Sequence, residues 1–339
     1  MRSSALSLLL LPLLLLSLLL PPTAAAFPPL PRPPQLPRRT LLHRSLFAAL
    51  LPAFPTPASP VVNGAAVTDA EAAQVGAVGL YIDLTGCTVC RRGVPATCTG
   101  TLVAPDLVLS ARHCADVPAA LNGSLTKVVF AAEMLAPDAP YREVERVVST
   151  ADYGVDAAGN DLLLLKLKGE APPPWRPVEL PLGLLPERAE QQEASRRKSP
   201  FFPDGVGLPA VQSYGYGQLD VRGEQDAARY TAGSLRRIDL QVRTEVRPWA
   251  AGFLTTPATR GTGTCAGDSG GGALLLLQDP QGRGVRQILL GVQAAASKPC
   301  VDNQAIFVYP QAFADFIVRA SRDLGSPIKQ TIGWREYSQ

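Results

Sequence analysis

The stretch that decides the fold is "GTGTCAGDSGGG", residues 261–272. A serine between glycines is ordinarily a turn. Ser269 differs: it follows an acid and a glycine, and Cys265 stands four positions before it. A serine hydroxyl is a poor nucleophile until a neighbouring base takes its proton. Histidine suits that task near neutral pH. The chain has only two histidines, His43 and His113.

His43 falls in a leader. Met1-Arg2 precedes an apolar run over 5–20, which stops at Pro21-Pro22 before the small residues of 23–26. A basic head, an apolar centre and a small-residue cleavage site read as a secretory signal over 1–26. As a membrane anchor the run is too short, since spanning takes about 20 apolar residues. Residues 27–60 are rich in Pro and Arg and contain no acid, so they read as a propeptide or leader that does not fold alone. An organelle transit sequence is the second reading, and it makes an organelle lumen such as the plastid's the alternative to secretion. Five of the 32 Lys and Arg lie before residue 61, leaving 27 bases against 29 acids, a formal −2. The basic balance thus belongs to the leader, and the remainder offers no nucleic-acid surface. With the signal removed, no membrane association is expected.

From residue 61 onward short strands alternate with turns. "VGAVGLYIDL" (75–84), "GTLVAPDLVLSA" (100–111, two strands about a turn), "DLLLLKL" (161–167) and "ILLGVQAAA" (288–296) predict an all-β barrel or sandwich. A loop at 278–286 precedes the last of these. In "PQAFADFIVRASRDLG" (310–325), Phe313, Phe316, Ile317 and Ala320 recur at helical spacing and Gly325 ends the run, so a C-terminal helix is expected. "APPPWRPVELP" (171–181) reads as a stiff linker, and the charged stretch 187–200 as a solvated loop.

If His43 leaves with the leader, the base for Ser269 is His113, in "LVLSARHC". A lone histidine after an apolar strand is more often structural. Here Cys114 follows directly and Cys98 lies on the preceding strand, and a Cys98–Cys114 bridge fixes where the imidazole points. An imidazole that becomes charged also needs a carboxylate to hold its tautomer. Asp161, at the mouth of "NDLLLLKL", is costly beside four leucines unless it has partners. Taken alone it reads as a strand cap.

Chain order separates these readings. His113, Asp161, Ser269 is the order of the chymotrypsin-like enzymes rather than of subtilisins or α/β-hydrolases. "CTGTLVAPDLVLSARHC", "NDLLLLKL", "YGYG" (214–217), "GTCAGDSGGG" and "GVQAAASKPC" resemble, in order, the successive signatures of the chymotrypsin/trypsin family of serine proteases (peptidase family S1). The resemblance runs over roughly 61–320. It implies two six-stranded antiparallel barrels, about 61–175 and 176–325, with a C-terminal helix and a tail at 326–339. It implies His113 as general base and then acid, Asp161 orienting it, and Ser269 attacking the carbonyl. The N–H groups of Gly267 and Ser269 form the oxyanion hole, such donors being worth about 3–4 kcal/mol each. Cys265 pairs with Cys300. Cys87 and Cys90, in "GCTVCRR", read as a local disulfide, one C-x-x-C without a second pair being a weak zinc signal. From spacing alone, six cysteines leave fifteen pairings open. No metal or organic cofactor is called for.

The chain departs from the family in three places. The pocket floor falls on Gly263 and its walls on Ala296 and Ala305, so no carboxylate selects Arg or Lys. Small to medium apolar side chains are expected before the scissile bond. A glutamate preference is not, since the known solutions use a second histidine or nearby cations. The usual Ser-Trp-Gly of the substrate strand is Ala294-Ala295-Ala296, removing a hydroxyl near the triad carboxylate and an aromatic wall. "VVNG" (61–64) matches the family's activated N-terminus, with Val61 to pair with Asp268, yet Pro60 stands where Arg or Lys is usual. Either an unusual protease cuts there, or exopeptidases trim to it, or no such switch operates. Asn122-Gly123-Ser124 is a glycosylation sequon.

The leading expectation is a secreted, monomeric serine endopeptidase acting on protein or peptide substrates and open to a protein inhibitor. The other is a catalytically silent protease-fold binding protein.

Overall fold

The computed structural model describes residues 62–87, 96–155, 160–182, 210–218, 232–245, 252–278 and 285–328. The signal, the leader, Val61, Cys90, the charged stretch 187–200, most of the 278–286 loop and the tail beyond 328 lie outside the described residues. Among the described residues no helix is long and apolar enough to cross a membrane.

The chain enters through β1 (Ala65–Ala66) and a short helix, α1 (Asp69–Gln74), capped by the Thr68 hydroxyl, which accepts from the Glu71 N–H. Six strands then close a first barrel: β2 (Ala77–Asp83), β3 (Ala96–Ala104), β4 (Leu107–Ser110), β5 (Ser124–Val129), β6 (Tyr141–Ser149) and β7 (Leu163–Leu167). Their neighbour order is β2-β3-β4-β7-β6-β5, all antiparallel. Helix α2 (His113–Ala120) leaves the end of β4. The alternation of Val78, Leu80 and Ile82 points one face of β2 inward. The apolar run Leu162–Leu165 that leads through β7 has a different cause: one face fills the barrel, and the C-terminal helix lies against the strand.

The second barrel is built from β8 (Ala210–Gly215), β9 (Arg236–Glu245), β10 (Gly252–Pro257), β11 (Gly272–Gln278), β12 (Val285–Ala296) and β13 (Ala305–Val308). The order β9-β10-β13-β12-β11-β8 is closed by β8 on β9, and β1 adds to the outer edge of β9. The two six-stranded antiparallel barrels expected from the motif order are therefore present. A 3₁₀ turn (Pro310–Phe313) leads into α3 (Ala314–Asp323), whose Phe316, Ile317 and Ala320 are buried as the periodicity predicts. Gly325, at φ 72°, ends it.

The first core is continuous with the face between the barrels, taking in Leu274, Leu289 and Val292 from the second. The second barrel keeps its own centre, where the Phe253 ring stacks on Phe307 (5.4 Å between centroids) and tilts on Tyr309 (4.8 Å). Gly291 is bare beneath it because a Cβ there meets the Phe253 ring at 2.6 Å. Emptying so filled a centre leaves a cavity that the closed barrel cannot collapse. Phe253→Ala is expected to cost about 3–5 kcal/mol in urea unfolding; a loss below about 1 kcal/mol would contradict this packing.

Candidate active site

His113 is the first residue of α2, immediately after the buried end of β4. Its backbone N–H is one of the helix's unpaired N-terminal donors. Asp161 takes it: Oδ1 accepts from His113 N at 2.9 Å, and Oδ2 pairs with His113 Nδ1 at 2.7 Å. One carboxylate thus caps the helix and grips the ring, fixing the imidazole relative to its own backbone. The helix N-terminus also favours negative charge there. Asp161 sits just before the buried Leu162, but its side chain stays 23% exposed, so water shares in solvating it. The strand-cap reading of this residue gives way to a helix cap and imidazole partner.

The Cys98–Cys114 bridge is formed, with 6.2 Å between Cα atoms. It ties the residue after His113 to β3. Sγ atoms of both cysteines and a His113 ring nitrogen lie within 4.8 Å of one another, but sulfurs joined to each other offer no thiolate to a metal.

Ser269 reaches the same place from the other barrel. Its carbonyl accepts from Thr99 N at 2.8 Å and lies 3.7 Å from Cys114 Sγ. Gly270, at φ 81°, presses the loop on β4: a Cβ there would collide with the Ser110 hydroxyl and the Thr99 carbonyl. The Thr99 hydroxyl donates to Gly267 O at 2.9 Å and accepts from Tyr216 N at 3.0 Å. Thr99 was not among the residues expected from sequence. The signal for it is the alternation Thr97, Thr99, Thr101 inside an otherwise apolar strand, all three buried. Ser269 Oγ makes no hydrogen bond to His113; such bonds often tighten only with substrate in place.

Gly267 has φ 99°, a backbone state that glycine alone adopts without strain. Among the described residues, neither its N–H nor that of Ser269 donates to a protein acceptor. Asp268, between them, is buried; its carboxylate accepts from Gly217 N at 2.8 Å and Cys265 N at 2.7 Å. Gly215 and Gly217 make room for it, since a Cβ at either would strike the carboxylate. Burial pushes the Asp268 carboxyl up to about 7, against the two N–H bonds, which lower it.

Val62 lies against the disulfide whose Cys265 donates to this acid. Val62 packs on the Cys265–Cys300 disulfide, and its carbonyl accepts from Gly263 N at 3.2 Å. Gly263, Ala296 and Ala305 come together around Asn303, a residue the sequence did not single out. Asn303 accepts from Thr264 N and donates to the carbonyls of Thr264 and Ser297. Ala296 pairs with Ala305 across β12 and β13. Ala294 is partly buried against the first core, while Ala295 and Ala296 are exposed. Cys87 is buried at the end of the β2 loop, its expected partner Cys90 being outside the described residues. Asn122 is exposed in a turn at φ 56°.

A search of curated proteins finds no match to the chain. A trypsin family model matches residues 88–317, which takes in five of the six strands of the first barrel, the whole of the second, His113, Asp161 and Ser269, and the first turn of α3. With well over half of its length inside that match, the chain belongs to the trypsin family.

Proposed function

We propose that the protein is a secreted serine endopeptidase working through His113, Asp161 and Ser269 and a covalent acyl-enzyme. The observation that carries this reading is the imidazole held by Asp161 at 2.7 Å beside a serine loop anchored on Thr99. With the Nδ1 proton donated to Asp161, Nε2 is left as the basic nitrogen. It takes the Ser269 proton as Oγ attacks a peptide carbonyl, and returns it to the leaving amine. The Gly267 and Ser269 N–H groups receive the oxyanion, and water then repeats the sequence on the ester. Gly263, Ala296 and Ala305 leave room for a substrate side chain of small to medium size. The disulfides Cys98–Cys114 and Cys265–Cys300 fit an oxidising compartment.

Activation follows from the buried acid. A free Val61 ammonium beside Asp268 would lower its pKa and order the oxyanion loop, whichever protease removes Pro60. The test is labelling by a fluorophosphonate, with the mature N-terminus read by mass spectrometry. The wild type labels once Val61 is first; Ser269→Ala does not, and its kcat falls by about 10⁶-fold. A Val61-terminated protein that does not label overturns the enzyme reading in favour of a binding protein.

A pH dependence follows as well. In the unprocessed chain Asp268 keeps its proton to about pH 7, whereas unfolded it ionises near 4. A raised carboxyl stabilises the fold fully below the unfolded value, and that contribution is lost as pH rises through the folded one. Stability of the unprocessed chain therefore falls between about pH 4 and 7. The slope disappears in Asp268→Asn and after processing to Val61. Equal slopes in wild type and Asp268→Asn, measured by urea unfolding, would refute it.

A further inference from the structure

The chain has four asparagines, and three of them commit their side-chain amides within the fold. Asn63 Nδ2 donates to Gly261 O at 2.6 Å, Asn160 donates to Val155 O, and Asn303 donates to the carbonyls of Thr264 and Ser297. Asn122 is exposed, and its amide has no hydrogen-bond partner among the described residues. Backbone conformation explains why an asparagine stands there, but not why its amide is unused. Asn122 sits at φ 56°, a state that short polar side chains tolerate. Asn63 and Asp302 also have positive φ, and both spend their side chains on Gly261: Asn63 donates to its carbonyl, and Asp302 Oδ1 accepts from its N–H at 2.8 Å. The turn at Asn122 is closed by backbone instead. Asn122 N donates to Ala119 O at 3.2 Å, and Gly123 N to Pro118 O at 2.7 Å.

Ser124, two places on, is the first residue of β5 and lies opposite Asp83 in the barrel. It too is exposed, and among the described residues its hydroxyl has no partner. Gly123 between them is packed against the end of β2. A Cβ there would come within 2.6 Å of Leu84 Cδ2 and 2.8 Å of the Asp83 carbonyl. The tripeptide thus fixes its middle residue against the barrel and leaves the amide and the hydroxyl outside. No other asparagine of the chain has Ser or Thr two places on. Asn-X-Ser is the acceptor pattern for an N-linked oligosaccharide, whose bulk requires the surface. Pattern and surface coincide at Asn122.

We propose that Asn122 carries an N-linked oligosaccharide, acquired as the chain enters the secretory route. This rests on the secretory part of the function proposed above. The donor is a lipid-diphosphate-linked oligosaccharide. Nδ2 of Asn122 forms a bond to the anomeric carbon of its first sugar, and the bond from that carbon to the diphosphate oxygen breaks. The lipid diphosphate leaves with the electron pair, and Nδ2 gives up one proton. The attachment point lies beyond the C-terminal end of α2, whose first residue is His113. Eight residues of helix, about 12 Å, separate the two, so the sugar is attached away from the triad.

The experiment expresses the full chain in eukaryotic cells and recovers it separately from the medium and from the cells. Intact mass is read before and after peptide N-glycosidase, which leaves aspartate where a glycosylated asparagine stood. The secreted wild type is expected to lose the mass of one oligosaccharide, with residue 122 read as aspartate after the enzyme and not before. Asn122→Asp, which keeps a side chain suited to the turn, and Ser124→Ala are each expected to abolish the mass step, whereas Ser124→Thr keeps it. A step on protein held inside the cells upholds the site as well, since the chain has then met the oligosaccharide donor. Secreted protein without a step overturns the site and leaves the secretory reading standing. A step that persists in Asn122→Asp overturns it too. A protein found only inside the cells, without a step in any fraction, overturns it together with the secretory reading on which it rests.

Discussion

Thr99 holds the serine loop of the second barrel to a strand of the first. Its N–H goes to Ser269 O, its hydroxyl to Gly267 O, and its carbonyl accepts from the Ser110 hydroxyl. Thr99 itself is fully buried, where an unmade bond costs far more than a made one contributes. The neighbouring residue on the same strand, Cys98, bridges to Cys114 beside His113. Ser269 and His113 are thus both referenced to β3, although they come from different barrels. A shift of either barrel would have to break this set of bonds together, and that makes the alignment stiff.

The opposite side of the loop is held by an acid in a place that disfavours its charge. Asp268 sits against backbone rather than side chains because Gly215 and Gly217 offer no Cβ. Two N–H bonds do not offset its desolvation, and its pKa rises. A loop fixed by a partly compensated carboxyl responds to any cation brought beside it. Val62 packs on the Cys265–Cys300 bridge, and the Cys265 N–H donates to the Asp268 carboxylate.

Around Gly263 a single side chain sets the shape. Asn303 links the Thr264 segment to the strand of Ala296 and leaves itself satisfied.

Much of this was legible in the sequence. The barrels followed from short strands and from the order of His113, Asp161 and Ser269, because each motif carries local turn chemistry that only a few geometries accept. The C-terminal helix followed from the spacing of Phe316, Ile317 and Ala320, a purely local property. The helix-capping role of Asp161 did not, since α2 begins at His113 only once the chain turns there. Nor did Thr99 or Asn303, whose parts depend on partners far away in the chain: Thr99 meets Gly267 across 168 positions. A threonine in a strand has no assigned face until pairing register and the approach of the second barrel fix which groups it meets. The sequence by itself determined which residues could do chemistry and in what order they come. Tertiary structure decided which polar groups are satisfied, because hydrogen bonds form between neighbours in space and the chain order does not state them.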